Sequence, residues 1–233
     1  MCHTAFLLPQ HTIWHVGDSI FQDRREAGRV LGEIVAGLPD LSDGVVLGLV
    51  RGGVPVAYEV AKAGGLPLDI LVVRKLGVPG QEELAMGAIA SGGGVVLNNN
   101  ILRSYRVPKE MLEEVLERET RELVRREALY RKGQPPLEIA GRTVILVDDG
   151  LATGATMRAA VHAVKERARR VIVAVPVGAQ PTCNELAEEA DKVICALTPE
   201  PLDAVSLFYR EFAPTSDEEV GALMRRRRQG LEI

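Results

Sequence analysis

Aromatic residues are few in this chain of 233, with four Phe, four Tyr and one Trp. Cysteine is scarcer still. Cys2, Cys183 and Cys195 are odd in number and widely spaced, with no Cys-x-x-Cys. That pattern argues against a disulfide framework or a zinc site and predicts reduced thiols. No apolar run reaches the roughly 20 residues that a membrane-spanning helix needs. A formal net charge of −4 argues against a surface coated in basic residues for nucleic acid. Repeats and low-complexity segments are lacking. The N-terminal Phe6-Leu7-Leu8 is hemmed in by Pro9, Gln10 and histidines, a poor match to a signal peptide. These absences predict a cytoplasmic protein without a membrane partner. A metal site at His3, His11 and His15 would need more ligands and a clear helix, and Gly17-Asp18 suggests a turn nearby, so they read as surface histidines.

What is present is an alternation of short apolar runs with amphipathic segments. Residues 45–50, 68–73, 144–147, 171–175 and 193–197 are short runs rich in Val, Ile and Leu, the pattern of strands buried on both faces. Between them, residues 23–38 carry Ala27, Val30, Leu31, Ile34 and Val35 at helical spacing, closed by Gly37 and Pro39. Helices are also predicted after Pro55, over residues 155–164 and over 184–190. This order predicts an α/β, doubly wound, mainly parallel sheet with right-handed crossovers.

Three stretches interrupt it. Residues 76–87 hold glycines, a proline and Gln81-Glu82-Glu83, which reads as a mobile loop. Residues 88–90 and 95–97 flank Ser91-Gly92-Gly93-Gly94 as a hairpin. From Pro108 to about Lys132 runs a long charged helix with Met111, Leu112, Val115, Leu116, Leu123, Val124 and Ala128 on its apolar side. Ser216 and Glu219 form a capping box for a last helix. That helix ends at Arg225–Arg228, where cations suit the helix dipole.

The chemistry concentrates at Val144-Ile145-Leu146-Val147-Asp148-Asp149-Gly150-Leu151-Ala152-Thr153-Gly154-Ala155-Thr156. A buried strand ends in two carboxylates, and a glycine turn leads into a helix whose first N–H groups lack intrahelical partners. Such a junction suits a phosphate. Helix capping accounts for one carboxylate there but poorly for two. A ligand that is phosphate at one end and diol at the other, such as a ribose 5-phosphate, fits both features. Two further strand ends carry cations: Arg51-Gly52-Gly53 after 45–50, and Arg74-Lys75 after 68–73. Both would overlook the crevice at the carboxyl ends of the strands.

The Asp148–Thr156 stretch resembles the phosphoribosyl-pyrophosphate (PRPP) loop of type I phosphoribosyltransferases. Together with Arg51-Gly52-Gly53-Val54-Pro55 and Val73-Arg74-Lys75-Leu76-Gly77, it is similar to an uncharacterised subgroup of predicted phosphoribosyltransferases. The resemblance implies one domain, with a core at about 23–97 and 141–197, a helical insertion at about 98–140 and a small C-terminal cap at about 198–233. It implies that Ala152, Thr153, Gly154, Ala155 and Thr156 hold the 5-phosphate of PRPP and that Asp148 and Asp149 are the catalytic pair on the ribose hydroxyls. Arg51, Gly52, Gly53, Arg74 and Lys75 would hold pyrophosphate. A Mg²⁺ ion would be bound through PRPP, with Asp148 and Asp149 as candidate ligands. Glu82 and Glu83 would lie on a closing loop, and Phe208 or Tyr209 could stack on a nucleobase. The implied partners are PRPP and a small nucleophilic acceptor, a nucleobase in the first instance; a homodimer is compatible with this.

Enzymes acting on hypoxanthine and guanine carry an aspartate where this chain has Ala152, which weakens 6-oxopurine salvage. Adenine phosphoribosyltransferases resemble this loop more closely, but the 98–140 segment does not look like theirs. The acceptor therefore stays open. A non-catalytic PRPP or nucleotide sensor on the same fold is the main alternative. A phosphohydrolase or pyrophosphate-transfer enzyme using the same loop is another.

Overall fold

A computed structural model of the chain describes residues 11–13 and 20–230. The main sheet contains β1 (His11–Ile13), β2 (Val45–Leu49), β3 (Leu68–Leu71), β7 (Thr143–Val147), β8 (Arg170–Val177) and β9 (Lys192–Leu197), in the order β1-β9-β8-β7-β2-β3. Every neighbouring pair is parallel. The expected doubly wound α/β core is therefore present. Residues 11–13 add an edge strand beside β9 where the sequence shows no strand pattern. Their backbone alone is described, and His3 and His15 lie outside the described residues.

The chain runs outward from β2 to β3 in one direction and from β7 through β8 to β9 in the other. The order therefore reverses between β2 and β7, which are hydrogen-bonded neighbours with Gly48 opposite Val147. Alternate strand residues feed two cores. Val46, Ile145, Ile172 and Ile194 point to one side. Leu47, Leu146, Val173 and Val193 point to the other. Helices α1 (Arg24–Ala36) and α2 (Gly53–Ala63) cover the first side, and α5 (Ala155–Lys165) with α6 (Gln180–Ala187) covers the second. Asp23 caps α1, accepting from the Glu26 N–H at 2.8 Å.

Residues 73–97 correct two expectations. The segment 76–87, expected as a mobile loop, is a β-hairpin. β4 (Val73–Val78) and β5 (Gln81–Ala90) are joined by Pro79-Gly80, and β6 (Gly94–Leu97) completes an antiparallel three-stranded sheet. Arg74 and Lys75, expected just beyond a core strand, therefore sit inside β4. The physical reason is pairing. After Leu71 the chain leaves the parallel sheet, and Gln81–Ala90 supplies a partner that local composition did not reveal. The hairpin around residues 91–93 follows the expectation.

Helices α3 (Asn99–Ser104) and α4 (Lys109–Arg131) then cover one face of this small sheet, with Val115, Leu123 and Tyr130 buried. Met111 and Val124, expected on the apolar side, are 39% and 56% exposed, because the buried stripe follows Val115, Glu119 and Leu123. Arg131 ties α4 to the core through the buried Asp69, at 3.2 Å. Asp69 also accepts from the Leu137 N–H at 2.9 Å. A buried pair with further hydrogen bonds is costly to break from one side. Beyond β9, a 3-10 turn (Val205–Phe208) leads to α7 (Asp217–Gln229), capped as expected by Ser216, which accepts from the Glu219 N–H at 3.1 Å. In the arginine run, Arg227 donates to the Leu66 carbonyl at 2.6 Å, while Arg225 and Arg226 are exposed.

Candidate active site

The switch between β2 and β7 brings two loops together that lie about a hundred residues apart in sequence. Residues 51–53 leave the carboxyl end of β2, and residues 148–154 leave that of β7. The contact admits no side chain. A Cβ at Gly52 would overlap the Asp149 carboxylate, and one at Gly53 would lie 2.6 Å from the Val147 carbonyl oxygen and 2.8 Å from the Asp148 Cα. Glycine is thus required for close approach. The Val50–Arg51 peptide just before these glycines is cis. Arg51 extends toward α7, its Nη1 being 3.7 Å from Asp217 Oδ1. Asp217 also accepts from the Tyr130 hydroxyl at 2.6 Å. Burial, and then that contact, pushes the pKa of the Tyr130 hydroxyl up to about 12. Helices α4 and α7 therefore meet the chain beside Arg51.

Residues 150–157 with Asp148 and Val205 enclose a cavity of about 180 Å³. Gly154 stands at the N-cap of α5 with φ 73°, so the loop turns in the left-handed region and delivers the first turn of the helix to the cavity. Two contacts hold the loop from below. Thr182 Oγ1 donates to the Ala152 carbonyl at 2.7 Å, and the Leu151 N–H donates to the Val177 carbonyl at 2.9 Å. Ala152, Thr153, Ala155 and Thr156 are exposed, while Gly154 is buried. The five residues expected to hold a phosphate thus share one small cavity.

The two carboxylates differ. Asp148 Oδ1 accepts from the Asp149 N–H at 2.9 Å. Burial, and then the charge of Asp149 beside it, raises the Asp148 carboxyl well above the usual carboxylate range. Asp149 is instead paired with Arg24, Nε to Oδ2 at 2.8 Å, with both side chains largely buried. Arg24 also donates to the Ala213 carbonyl at 2.7 Å and lies 3.8 Å over the Phe212 ring. Arg24 is a site residue that sequence reasoning missed. At the start of α1 its local signal is only that of a helix N-terminus, and its partner is 125 residues away. Thr182, Val205 and Phe212 were missed for the same reason.

The remaining candidates separate. Tyr209 is buried between Phe21 and Phe212, with ring centroids at 5.7 and 4.8 Å. Its hydroxyl donates to the Asp149 carbonyl at 2.5 Å, and burial raises its pKa far above the ordinary range. This ring braces the Asp149 backbone. Phe208 is half-buried in the same cluster. Arg74 is engaged by Glu119 on α4, Nε to Oε2 at 2.9 Å. Lys75 Nζ lies 3.1 Å from Glu83 Oε2. Glu82 and Glu83 are exposed on β5. Of the basic candidates, Arg51 alone adjoins the two-loop junction.

Asp148 and Asp149 are hard oxygen donors suited to Mg²⁺. Among the described residues no cluster of three His, Cys, Asp or Glu could hold a metal. The donor set fits an ion carried mainly by substrate oxygens. Among the described residues no helix is long and apolar enough to cross a membrane.

A profile of the phosphoribosyl transferase domain matches residues 19–200. The chain is 45% identical over 208 residues to Rv0571c of Mycobacterium tuberculosis strain H37Rv, which bears a provisional phosphoribosyl transferase name. The match covers 89% of this chain and 47% of that protein, so the chain spans about half the length of this relative. It is 34% identical over 145 residues to the bifunctional protein PyrR of Chloroflexus aurantiacus, covering 61% of this chain and 74% of PyrR. The crystal structure of TT1426 from Thermus thermophilus is similar with a TM-score of 0.77 at 42% identity, covering 88% of this chain and 97% of that one.

Proposed function

Because this chain belongs to the phosphoribosyl transferase domain family, we propose that it transfers a phosphoribosyl group from PRPP to a small nucleophile, a nucleobase in the first instance, with release of pyrophosphate. The observation that carries this reading is the meeting of Gly52 and Gly53 with Asp148 and Asp149 beside the 150–157 cavity. The residues assigned here to phosphate, diol and pyrophosphate then adjoin one another at the switch between β2 and β7, where open parallel sheets bind ligands.

In this reading, residues 152–156 hold the 5-phosphate with free backbone amides and the Thr153 and Thr156 hydroxyls. Asp149 and Asp148 orient the ribose diol. Arg51 and the Gly52–Gly53 backbone at the junction receive the pyrophosphate, with Lys75 as a second cation once its exposed contact with Glu83 exchanges; Arg74 is held by Glu119. As the bond from C1 to the pyrophosphate oxygen breaks, positive charge grows on the ribose ring. A carboxylate below the ring stabilises that charge more than it stabilises the ground state, which is how it accelerates the step. The acceptor's lone pair then forms the new bond at C1. Asp148 and Asp149 would hold a Mg²⁺ ion brought in with PRPP, and such an ion would supply positive charge against the departing pyrophosphate. In this reading Val205, which lines the cavity, and the Phe208 and Phe212 clustered with it would limit water beside the acceptor.

The test is pyrophosphate release from PRPP and Mg²⁺ over a panel of nucleobases. Turnover with one base, lost in Asp149→Asn, supports transfer. PRPP bound by calorimetry with no turnover on any acceptor moves the protein to the second reading, a PRPP or nucleotide sensor. That reading is favoured by one observation, the Arg24 guanidinium already seated on Asp149. Absence of any PRPP or ribose 5-phosphate binding, Mg²⁺ present, overturns both.

A further inference from the structure

Asp149 is held at nearly every polar atom it has. Its N–H donates to Asp148 Oδ1 at 2.9 Å, its carbonyl accepts from the Tyr209 hydroxyl at 2.5 Å, and its Oδ2 accepts from Arg24 Nε at 2.8 Å. Among the described residues nothing donates to Oδ1. A carboxylate paired with a guanidinium accepts hydrogen bonds and donates none. The group that meets Oδ1 must therefore bring a hydrogen or a cation. The Arg24 and Asp149 side chains are only 12% and 18% exposed, so removing one partner is felt strongly by the other.

Arg24 is itself fixed by a distant part of the chain. Its Nη1 donates to the Ala213 carbonyl at 2.7 Å, and its guanidinium lies 3.8 Å over the Phe212 ring. The same segment is tied to the residues just before α1. The Phe21 N–H donates to the Phe208 carbonyl at 2.9 Å, the Arg210 N–H to the Phe21 carbonyl at 2.8 Å, and the Glu211 N–H to the Gln22 carbonyl at 2.9 Å. A guanidinium is planar, with its donors in a rigid fork. Pinning one edge and one face of it fixes where Nε points, and with it Asp149 Oδ2. Tyr209, Phe212 and Ala213 all lie beyond the residues 19–200 matched by the family profile, so most of this grip comes from outside the common core.

We propose that Arg24, locked by Phe212 and Ala213, is a positioning residue that holds Asp149 with Oδ1 presented to a sugar's vicinal hydroxyls, and so sets the preference of the crevice for ribose over 2-deoxyribose. The proposal rests on the assignment of the diol to Asp149 made above, which the transferase and sensor readings share. A carboxylate fixed in one orientation favours a hydroxyl in one place, and a sugar lacking that hydroxyl leaves a largely buried acceptor unpaired. A carboxylate free to turn recovers water instead, and the two sugars then bind nearly alike.

The test is calorimetry on the full chain, Mg²⁺ present, with ribose 5-phosphate and 2-deoxyribose 5-phosphate. The unsubstituted protein should prefer ribose 5-phosphate by about tenfold or more, the loss expected for one charged hydrogen bond. Arg24→Met, which keeps the apolar stem, should remove most of that preference and leave the affinity for 2-deoxyribose 5-phosphate nearly unchanged. Arg24→Lys, which restores the charge without the fork, should recover part of it. Phe212→Leu leaves the charge in place and should lower the preference by about threefold, so failure of an Arg24 variant to fold leaves a second route. Thermal melts confirm that each variant compared is folded. An unchanged preference in Arg24→Met would overturn the proposal, as would equal weakening of both sugars, the mark of a merely structural role. Tighter ribose 5-phosphate binding in Arg24→Met would overturn it too, because Arg24 would then compete with the ligand. Equal binding of the two sugars by the unsubstituted protein overturns the proposal alone, whereas binding of neither overturns the diol assignment beneath it as well.

Discussion

The two cavities on either side of the first turn of α5 are built by opposite means. The smaller one is made of backbone, with residues 150–154 held by the Thr182 and Val177 contacts and by the left-handed turn at Gly154. The larger one, about 430 Å³ between β5 and α5, is made by omission, with Ala85, Gly87, Ala88, Ala155 and Ala159 in its lining. A backbone cradle is rigid and indifferent to most side-chain changes. A slot defined by missing side chains is opened or closed by one methyl group more or less. The first suits a ligand part that never varies, such as a phosphate.

The largest expected effect sharpens that division. Asp149→Asn removes a charged hydrogen-bonding group from the crevice and leaves Arg24 unpaired. Ribose 5-phosphate affinity, by calorimetry with Mg²⁺, should fall by on the order of a hundredfold, from about 1.5–3 kcal/mol per charged hydrogen bond. Next comes Gly52→Ala, whose Cβ has no room beside Asp149. Overpacking of this kind costs about 1–3 kcal/mol, read as a lower unfolding midpoint together with weaker sugar-phosphate binding. Thr182→Val deletes the hydroxyl under Ala152 and should cost about 1 kcal/mol, roughly fivefold in phosphate affinity.

Asp148 supplies a pH test. Its folded carboxyl is raised by burial and by Asp149, so the folded state holds this proton more tightly than the unfolded chain does. The contribution is fully present below the ordinary carboxylate range and is lost as pH rises through the raised value. Relative to Asp148→Asn, the ligand-free protein should therefore lose stability on going from about pH 4 upward, checked by melts of both proteins across that window. Parallel curves would mean that Asp148 is not held toward its protonated form. The smallest effect is a null one. Ala88→Leu should leave ribose 5-phosphate affinity where it was, and a large loss would show that the two cavities act as one.

Much of the core was legible because each of its strands advertises itself. Val45–Leu49 and Thr143–Val147 are buried on both faces, so their runs are continuous, and carboxylates or cations directly after such runs mark the ligand edge. Gly154 and the two threonines announced a turn into a helix for the same local reason. The antiparallel sheet was not legible in this way. Val73–Val78 and Gln81–Ala90 include Arg74, Lys75, Glu82 and Glu83 because one face is wet, and their glycines imitate a loop.

What the chain's order of residues determined by itself is the set of local junctions: which strand ends in Asp148-Asp149, which helix begins at Ala155, and where glycine must stand. Only the tertiary structure decided that Arg24 sits on Asp149, that Tyr209 braces it from behind, and that β5 faces α5 across an open slot. Local chemistry acts over a turn or two of chain and can be read in place. The pairing of residues 24 and 149 exists only because the sheet order reverses between β2 and β7 and the crossovers carry distant segments to the same edge.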